Sequence, residues 1–212
     1  MSAMSAVAKT VLQSFVMPRS FLWRLETPDG CALTFDDGPH PEYTPKILDV
    51  LAREKVHGTF FVVGEAAARE PALLRRIVRE GHALGSHTLT HREFPTLSLQ
   101  ELQKELDGCR ELIENHCGVR TNLVRPPRGR INFRSLMHVS RSGYRLVHWS
   151  KTYSDYLRDG VDPLLSRMHA RRLMQRDIVL LHDTNDFTVE ALSRILPEWR
   201  ASGVRFERLG AS

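Results

Sequence analysis

The chain has 212 residues, 42% of them apolar and 26% charged, which suits one folded domain with a sizeable core and excludes a disordered or low-complexity chain. No stretch approaches the ~20 consecutive apolar residues of a membrane-crossing helix. The formal charge is +5, with only five lysines among the 30 basic residues. That balance favours anionic partners such as phosphate-bearing substrates or an acidic membrane surface, although arginines scattered over many helices also read as plain solvated faces. They form no stripe and join no motif of the kind that binds nucleic acid, so no nucleic-acid partner is expected. The cysteine count of 3 is odd and contains no Cys-x-x-Cys spacing, which argues against a disulfide framework and for a reducing, cytoplasmic setting.

Met1 to Ser20 carries an apolar run broken by Lys9, Thr10, Gln13 and Ser14, with no charged segment ahead of it. It does not read as a secretory signal. Val7, Val11 and Phe15 fall at helical spacing, as in an amphipathic arm that packs on its own domain or touches a membrane surface.

From residue 30 onward, strand-like and helix-like segments alternate. Cys31 to Phe35 reads as the first strand. Thr44-Pro45 caps and opens a helix that runs to about Lys55. Gly58 to Val63, β-branched and aromatic, reads as a buried strand. Pro71 opens a helix with Leu73, Leu74, Ile77 and Val78 on one face, stopping at Gly81. His82 to Gly85 is a short strand. Ser98-Leu99-Gln100-Glu101 is a capping box, and the helix behind it runs to about Cys117 before Gly118. Its apolar face is Leu99, Leu102, Leu106, Cys109 and Ile113. Asn122 to Val124 is a strand leading into Arg125-Pro126-Pro127-Arg128-Gly129. A helix covers Phe133 to Ser142, and Tyr144 to Trp149 is the fifth strand. Asp162-Pro163 caps a helix to about Gln175. Ile178 to Leu181 is a strand ending at His182. Thr188 to Ala201 is the last helix, kinked near Pro197, and Val204 to Arg208 is a final strand. About seven strands separated by helices predict an α/β fold with a largely parallel sheet.

Asp36, Asp37, His87, His91, Arg125, Trp149 and His182 all fall at or just after the C-terminal ends of predicted strands. In parallel α/β barrels that rim carries the active site. Alternation alone equally fits an open doubly wound sheet, but no glycine-rich nucleotide or phosphate loop is present.

Adjacent carboxylates at the end of a buried strand need a compensating cation, and a metal ion is the natural one. Successive side chains near a strand end point different ways, so one carboxylate can bind the ion while the other approaches a water beside it. His87 and His91 are four apart, which on a helical turn puts both imidazoles on one face. With Asp37 they form a His-His-Asp set that leaves positions open, as catalytic metal sites do. Each pattern alone is weak: His-x-x-x-His occurs on ordinary surfaces, and Asp-Asp-Gly is a common turn. Their joint placement on successive strand ends carries the reading.

Thr34-Phe35-Asp36-Asp37-Gly38-Pro39, Ser86-His87-Thr88-Leu89-Thr90-His91, Arg125-Pro126-Pro127-Arg128-Gly129 and Leu180-Leu181-His182, in that order, resemble the motifs of the polysaccharide deacetylase family (NodB homology domain, carbohydrate esterase family 4). The resemblance spans residues 30 to 209. It divides the chain into an N-terminal arm and lead-in, 1–29, and a catalytic domain, 30–212. It implies a single-domain distorted (β/α) barrel, a divalent metal, usually zinc, and removal of an acetyl group from an N-acetylated sugar. By resemblance Asp37, His87 and His91 are the metal ligands, Asp36 is the general base and His182 the general acid. Arg125 resembles the arginine that holds the base, and Asp155 the acid that orients the histidine. The backbone N–H of Arg128 is a candidate oxyanion donor. Pro127, Arg128, Trp149 and Tyr156 are candidate substrate contacts, although Trp149 reads equally as a core residue.

Two departures from the family pattern stand out. An aromatic often follows the Pro-Pro pair, where this chain has Arg128. The fourth motif, commonly Asp-x-x-Asp-Trp, reads Thr152-Tyr153-Ser154-Asp155-Tyr156. Arg128 and Arg130 suit an anionic or phosphate-linked sugar. The expected function is a metal-dependent N-deacetylase of a polysaccharide or a lipid-linked glycan precursor, acting on the cytoplasmic side with a possible peripheral membrane contact. The alternatives are an amide hydrolase on a non-sugar substrate and a catalytically weak carbohydrate-binding relative.

Overall fold

The computed structural model describes residues 20–210, so the arm and signal readings of the N-terminus lie outside the described residues. β2 (Ala32–Asp36), β3 (Thr59–Val62), β4 (Ala83–Ser86) and β8 (Ile178–His182) are buried almost throughout and rich in Val, Ile, Leu and Phe. That is the composition of strands covered on both faces. Four shorter strands complete the sheet: β1 (Phe21–Leu22), β5 (Leu123–Val124), β6 (Arg145–Val147) and β7 (Lys151–Thr152). The order is β1-β6-β5-β4-β3-β2-β8-β7, eight strands, and every pairing is parallel.

The expected α/β fold with a curled parallel sheet is what forms, with eight strands in place of seven. The two-residue strands β1 and β7 are too short to show any alternation in sequence. The expected strand at Val204–Arg208 reduces to a single bridge between Cys31 and Phe206. β1 lies inside the segment read as lead-in, and it pairs Phe21 with Leu146 at the sheet edge. The ends of the curl meet just below it. Arg24 bridges to Asp177, whose buried carboxylate also faces Lys151 at 3.5 Å.

The described helices are α1 (Tyr43–Arg53), α2 (Gly64–Arg69), α3 (Pro71–Arg79), α4 (Leu99–Cys117), α5 (Phe133–Arg141) and α6 (Val161–Ala170), which lie between strands, and α7 (Asp186–Ala201), which follows the last one. α4 has the anticipated capping box: the Ser98 hydroxyl accepts the Glu101 N–H while Glu101 accepts the N–H of Ser98. Gly118 ends α4 with φ +66°. Three helix readings are corrected. Thr44 does not cap α1, which starts at Tyr43; its hydroxyl is drawn to buried Asp183 instead. α6 stops at Ala170 because the carbonyls of Arg171 and Arg172 are taken by Tyr153 and Lys151. Asp162 is not the cap of α6, whose N-cap is Gly160; α7 includes Pro197 within its span.

Period-two alternation sorts the side chains of each strand. Leu33 and Phe35 point outward and pack with Ile47, Leu51, Val179, Leu181, Leu192 and Ile195 in the main helix-covered core. Burying each such side chain contributes about 1.5–3 kcal/mol. Ala32, Phe61, Leu123, Val147 and Ile178 point into the curl and fill its lower part. A third cluster joins α4 and α5 to β5 and β6. Thr34 and Asp36 share the inward parity of Ala32, so the strand that builds the core also delivers a carboxylate to the upper end of the curl.

Candidate active site

Asp36 closes β2, is 3% exposed, and lies in register with His182 of β8. His182 therefore sits on the strand next to Asp36. Beneath them lies Arg125, fully buried at the end of β5. A buried guanidinium is tolerated only when its N–H groups find acceptors. Here Nη1 donates to Asp36 Oδ1 and to Thr34 Oγ1, both at 2.7 Å. Nη2 donates to the His148 carbonyl at 3.1 Å, and the cation lies 4.2 Å from the centre of the Phe61 ring. Burial lowers the pKa of Arg125, and the Asp36 charge opposes that.

Asp37 leaves the strand with φ +75°, a left-handed turn that Asp tolerates better than most residues. Its carboxylate turns away from Asp36 toward two imidazoles. His91 Nε2 lies 3.2 Å from Asp37 Oδ1, and His87 Nε2 lies 3.4 Å from the same atom. One ligand atom from each of Asp37, His87 and His91 falls within 4.8 Å of the others. His87 Nδ1 pairs with the Arg125 carbonyl at 2.9 Å; donation there turns Nε2 toward Asp37, where it donates when protonated and offers its lone pair to a cation when not. Burial opposes the charge of Asp37, but bonds from both imidazoles more than offset it and hold the carboxyl well below its usual range. An anionic oxygen and two imidazole nitrogens converging on one point fit a divalent cation.

The helical turn expected for His87–His91 is not formed. The loop has left-handed residues at Thr88 (φ +69°) and His91 (φ +60°), and it brings the two rings to 5.0 Å by that route.

His182 Nδ1 faces Asp155 Oδ1 at 3.0 Å, and the His182 backbone N–H donates to Asp155 Oδ2 at 2.7 Å. Asp155 is 1% exposed and also accepts the Thr188 hydroxyl at 2.9 Å. Burial alone lowers the His182 pKa. The hydrogen bond and charge of Asp155, with Asp36 and Asp37 behind it, outweigh that and push it up to about 9. Next in sequence, Asp183 is wholly buried beside Gly38, and burial pushes it up to about 7.

The rim is built by loops. Pro127 is buried in the turn Pro127–Gly129, where Arg128 has φ +55°. The Arg128 side chain points outward to Glu93 at 3.1 Å, and Arg130 reaches the other oxygen of Glu93 at 3.4 Å. Trp149 stacks on His148 at 4.0 Å over this turn. Tyr156 is 57% exposed and stands edge-on to His182 at 6.1 Å. Thr152 lies in β7, opposite Leu180, where its hydroxyl accepts the Ser154 N–H.

All the sequence-predicted residues thus meet at one end of the sheet. Sequence reasoning missed Thr34, Glu93 and Thr188. Thr34 was findable, being two residues before Asp36 on the same strand face. The other two act across long separations and leave no local pattern.

The polysaccharide deacetylase family profile matches residues 26–147, more than half of the chain. The chain belongs to this family. A peptidoglycan-N-acetylglucosamine deacetylase of Bacillus cereus is 37% identical over 180 residues, covering 82% of this chain and 84% of that protein. A chitooligosaccharide deacetylase of Sinorhizobium fredii is 35% identical over 179 residues, covering 78% and 83%. A crystal structure of a peptidoglycan N-acetylglucosamine deacetylase superposes with a TM-score of 0.85 at 28% identity, over 99% of this chain and 95% of that one. As a deacetylase-family member with the Asp37–His87–His91 set in place, the protein is a metal-dependent hydrolase of carbon–nitrogen bonds.

Proposed function

We propose that this protein removes the acetyl group from N-acetylated amino sugars of a glycan related to peptidoglycan or chitooligosaccharides. The observation that carries the proposal is the convergence of Asp37, His87 and His91 beside Asp36 and His182. Asp37, His87 and His91 would hold a divalent ion, zinc in our reading, which when bound would supply Lewis acidity toward the acetyl carbonyl and the attacking water.

The chain's own residues do the rest. Asp36 takes the proton of the attacking water. Arg125 fixes the Asp36 carboxylate through Oδ1, so Oδ2 is the free acceptor. His182 is protonated at neutral pH by the surroundings that raise it to about 9, and it passes that proton to the departing amine nitrogen. Asp155 holds Nδ1 of His182 and so turns Nε2 toward the cleft. In the Pro127–Gly129 turn, the N–H groups of Gly129 and Arg130 bond to Pro126 and Pro127 carbonyls, while that of Arg128 is our candidate donor to the oxyanion.

Arg128 and Arg130 share one carboxylate, Glu93, which leaves a net positive charge at the rim. This favours a glycan carrying a carboxylate or phosphate, a lipid-linked precursor among them. A reducing, cytoplasmic setting is part of the proposal, supported by the unpaired state of Cys31, Cys109 and Cys117. No described helix is long and apolar enough to cross a membrane.

The test is acetate release from a panel of neutral and anionic N-acetylated glycans, with and without added zinc. Metal-dependent release that is lost in Asp36→Asn and in His182→Ala supports the mechanism. Release that survives Asp36→Asn undiminished removes Asp36 from the role of base.

A further inference from the structure

Glu105 lies on the buried face of α4, 7% exposed among Leu102, Leu106 and Cys109. A carboxylate in such a place is costly unless it is paired. Among the described residues it forms no ion pair. Both of its oxygens go instead to one residue, Thr90: Oε2 accepts the Thr90 backbone N–H at 2.8 Å, and Oε1 accepts its hydroxyl at 2.6 Å. Thr90 immediately precedes His91.

The loop that Thr90 belongs to needs holding. Left-handed φ at Thr88 and at His91 costs on the order of 1–3 kcal/mol each and persists only where neighbours enforce it. Three contacts do so. The carbonyls of Thr88 and Leu89 accept the N–H groups of Gly64 and Glu65 at 3.0 and 2.9 Å. These are donors that the start of α2 leaves free. The Leu89 side chain sits in a notch between two glycines: a Cβ on Gly64 would lie 2.6 Å from Leu89 Cδ1, and one on Gly108 would lie 3.1 Å from Cδ2. Glu105, one helical turn before Gly108, supplies the third contact, the only one adjacent to His91 and the only charged one.

His91 is the more exposed of the two imidazoles, 35% against 2% for His87. His87 is fixed by its own ring bond to the Arg125 carbonyl. Apart from its contact with Asp37 inside the site, the His91 ring has no hydrogen bond among the described residues, so its position rests on its backbone. We propose that Glu105 is a positioning residue for His91, and that its two-point grip on Thr90 sets the affinity of the Asp37–His87–His91 site for its divalent ion. The inference rests on the metal-site reading above. Supporting groups of this kind alter metal affinity about 10–100-fold.

The experiment titrates metal-free protein with Co2+ and Zn2+, following the Co2+ absorption bands and competition with a chromophoric chelator. Wild type, Glu105→Gln, Thr90→Val and the double variant are compared. Ser98→Ala serves as a variant that weakens α4 without touching the loop. The expected result is a ~10–100-fold weaker affinity in Glu105→Gln, a similar loss in Thr90→Val, and little further loss in the double variant. Ser98→Ala binds as wild type does. Thermal unfolding of the metal-free proteins separates stability from affinity. Wild-type affinity in a folded Glu105→Gln, or losses matched by Ser98→Ala, overturns the proposal. Absence of Co2+ and Zn2+ binding by wild type overturns instead the metal-site reading beneath it.

Discussion

Replacing Asp155 with Asn removes one charge from the centre of the site while keeping the shape of the side chain. His182 is raised from the ordinary 6.5 to about 9, although burial works the other way. The difference corresponds to roughly 3 kcal/mol of interaction favouring the imidazolium, at about 1.4 kcal/mol per tenfold change in acidity. With Asp155 neutral, burial is opposed only by the more distant Asp36 and Asp37. The imidazole should then titrate ~2 pH units lower or more. The folded value is raised, so the coupling stabilises the protein fully below pH 6.5 and is lost as pH rises through about 9. The stability deficit of Asp155→Asn should therefore be larger by up to ~3 kcal/mol in mildly acidic buffer than in strongly alkaline buffer. A smaller pH-independent part, ~1–3 kcal/mol, arises because the single Asn oxygen cannot accept at both carboxylate positions, from His182 Nδ1 at one and from the His182 backbone N–H and Thr188 hydroxyl at the other. NMR titration of the His182 ring in metal-free protein reads the pKa directly. Denaturant unfolding at several pH values reads the stability, and the basic limb of the deacetylation pH profile should move down with the ring. An imidazole that still titrates near 9 in Asp155→Asn would refute the coupling.

Further outcomes follow from the same geometry. Arg125→Met strands Asp36 as a buried lone carboxylate and should lower the unfolding free energy by ~3–5 kcal/mol. Adding Asp36→Leu should recover much of that stability while acetate release stays absent, and denaturant titration of both variants checks it. Arg128→Ala combined with Arg130→Ala should reduce kcat/KM for a carboxylate- or phosphate-bearing glycan by about 10–100-fold and leave a neutral chitooligosaccharide within ~2-fold. Equal losses on both substrates would remove the anionic preference. Ser98→Ala breaks one half of the α4 capping box, so it should cost about 1 kcal/mol and lower the unfolding midpoint by ~2–4 °C, with activity unchanged.

Much of the site could be read from the sequence because its members lie in short runs at strand ends. Asp36-Asp37, His87 with His91, Arg125 and His182 each follow an apolar stretch, and a parallel sheet brings all such ends to one rim. Chain-local chemistry also determined the capping box at Ser98 and Glu101 and the left-handed stop at Gly118, since both are closed by residues three or four apart. Tertiary structure decided what local chemistry could not. Phe21–Leu22 and Lys151–Thr152 are strands only because partners lie alongside them, whereas Val204–Arg208 has strand composition and makes a single bridge. Thr44 reads as a cap, but its hydroxyl oxygen accepts the His40 N–H and its hydrogen goes to buried Asp183. The spacing of His87 and His91 suggests a helical turn, yet the approach of their rings comes from left-handed backbone held by Glu105, Gly64 and Gly108. The pairing of Arg128 and Arg130 on Glu93 likewise joins residues far apart in the chain. Period and capping are properties of neighbouring residues, so they survive in one dimension. The grip on His91 and the charge at the rim depend on which distant surfaces the folded chain brings together.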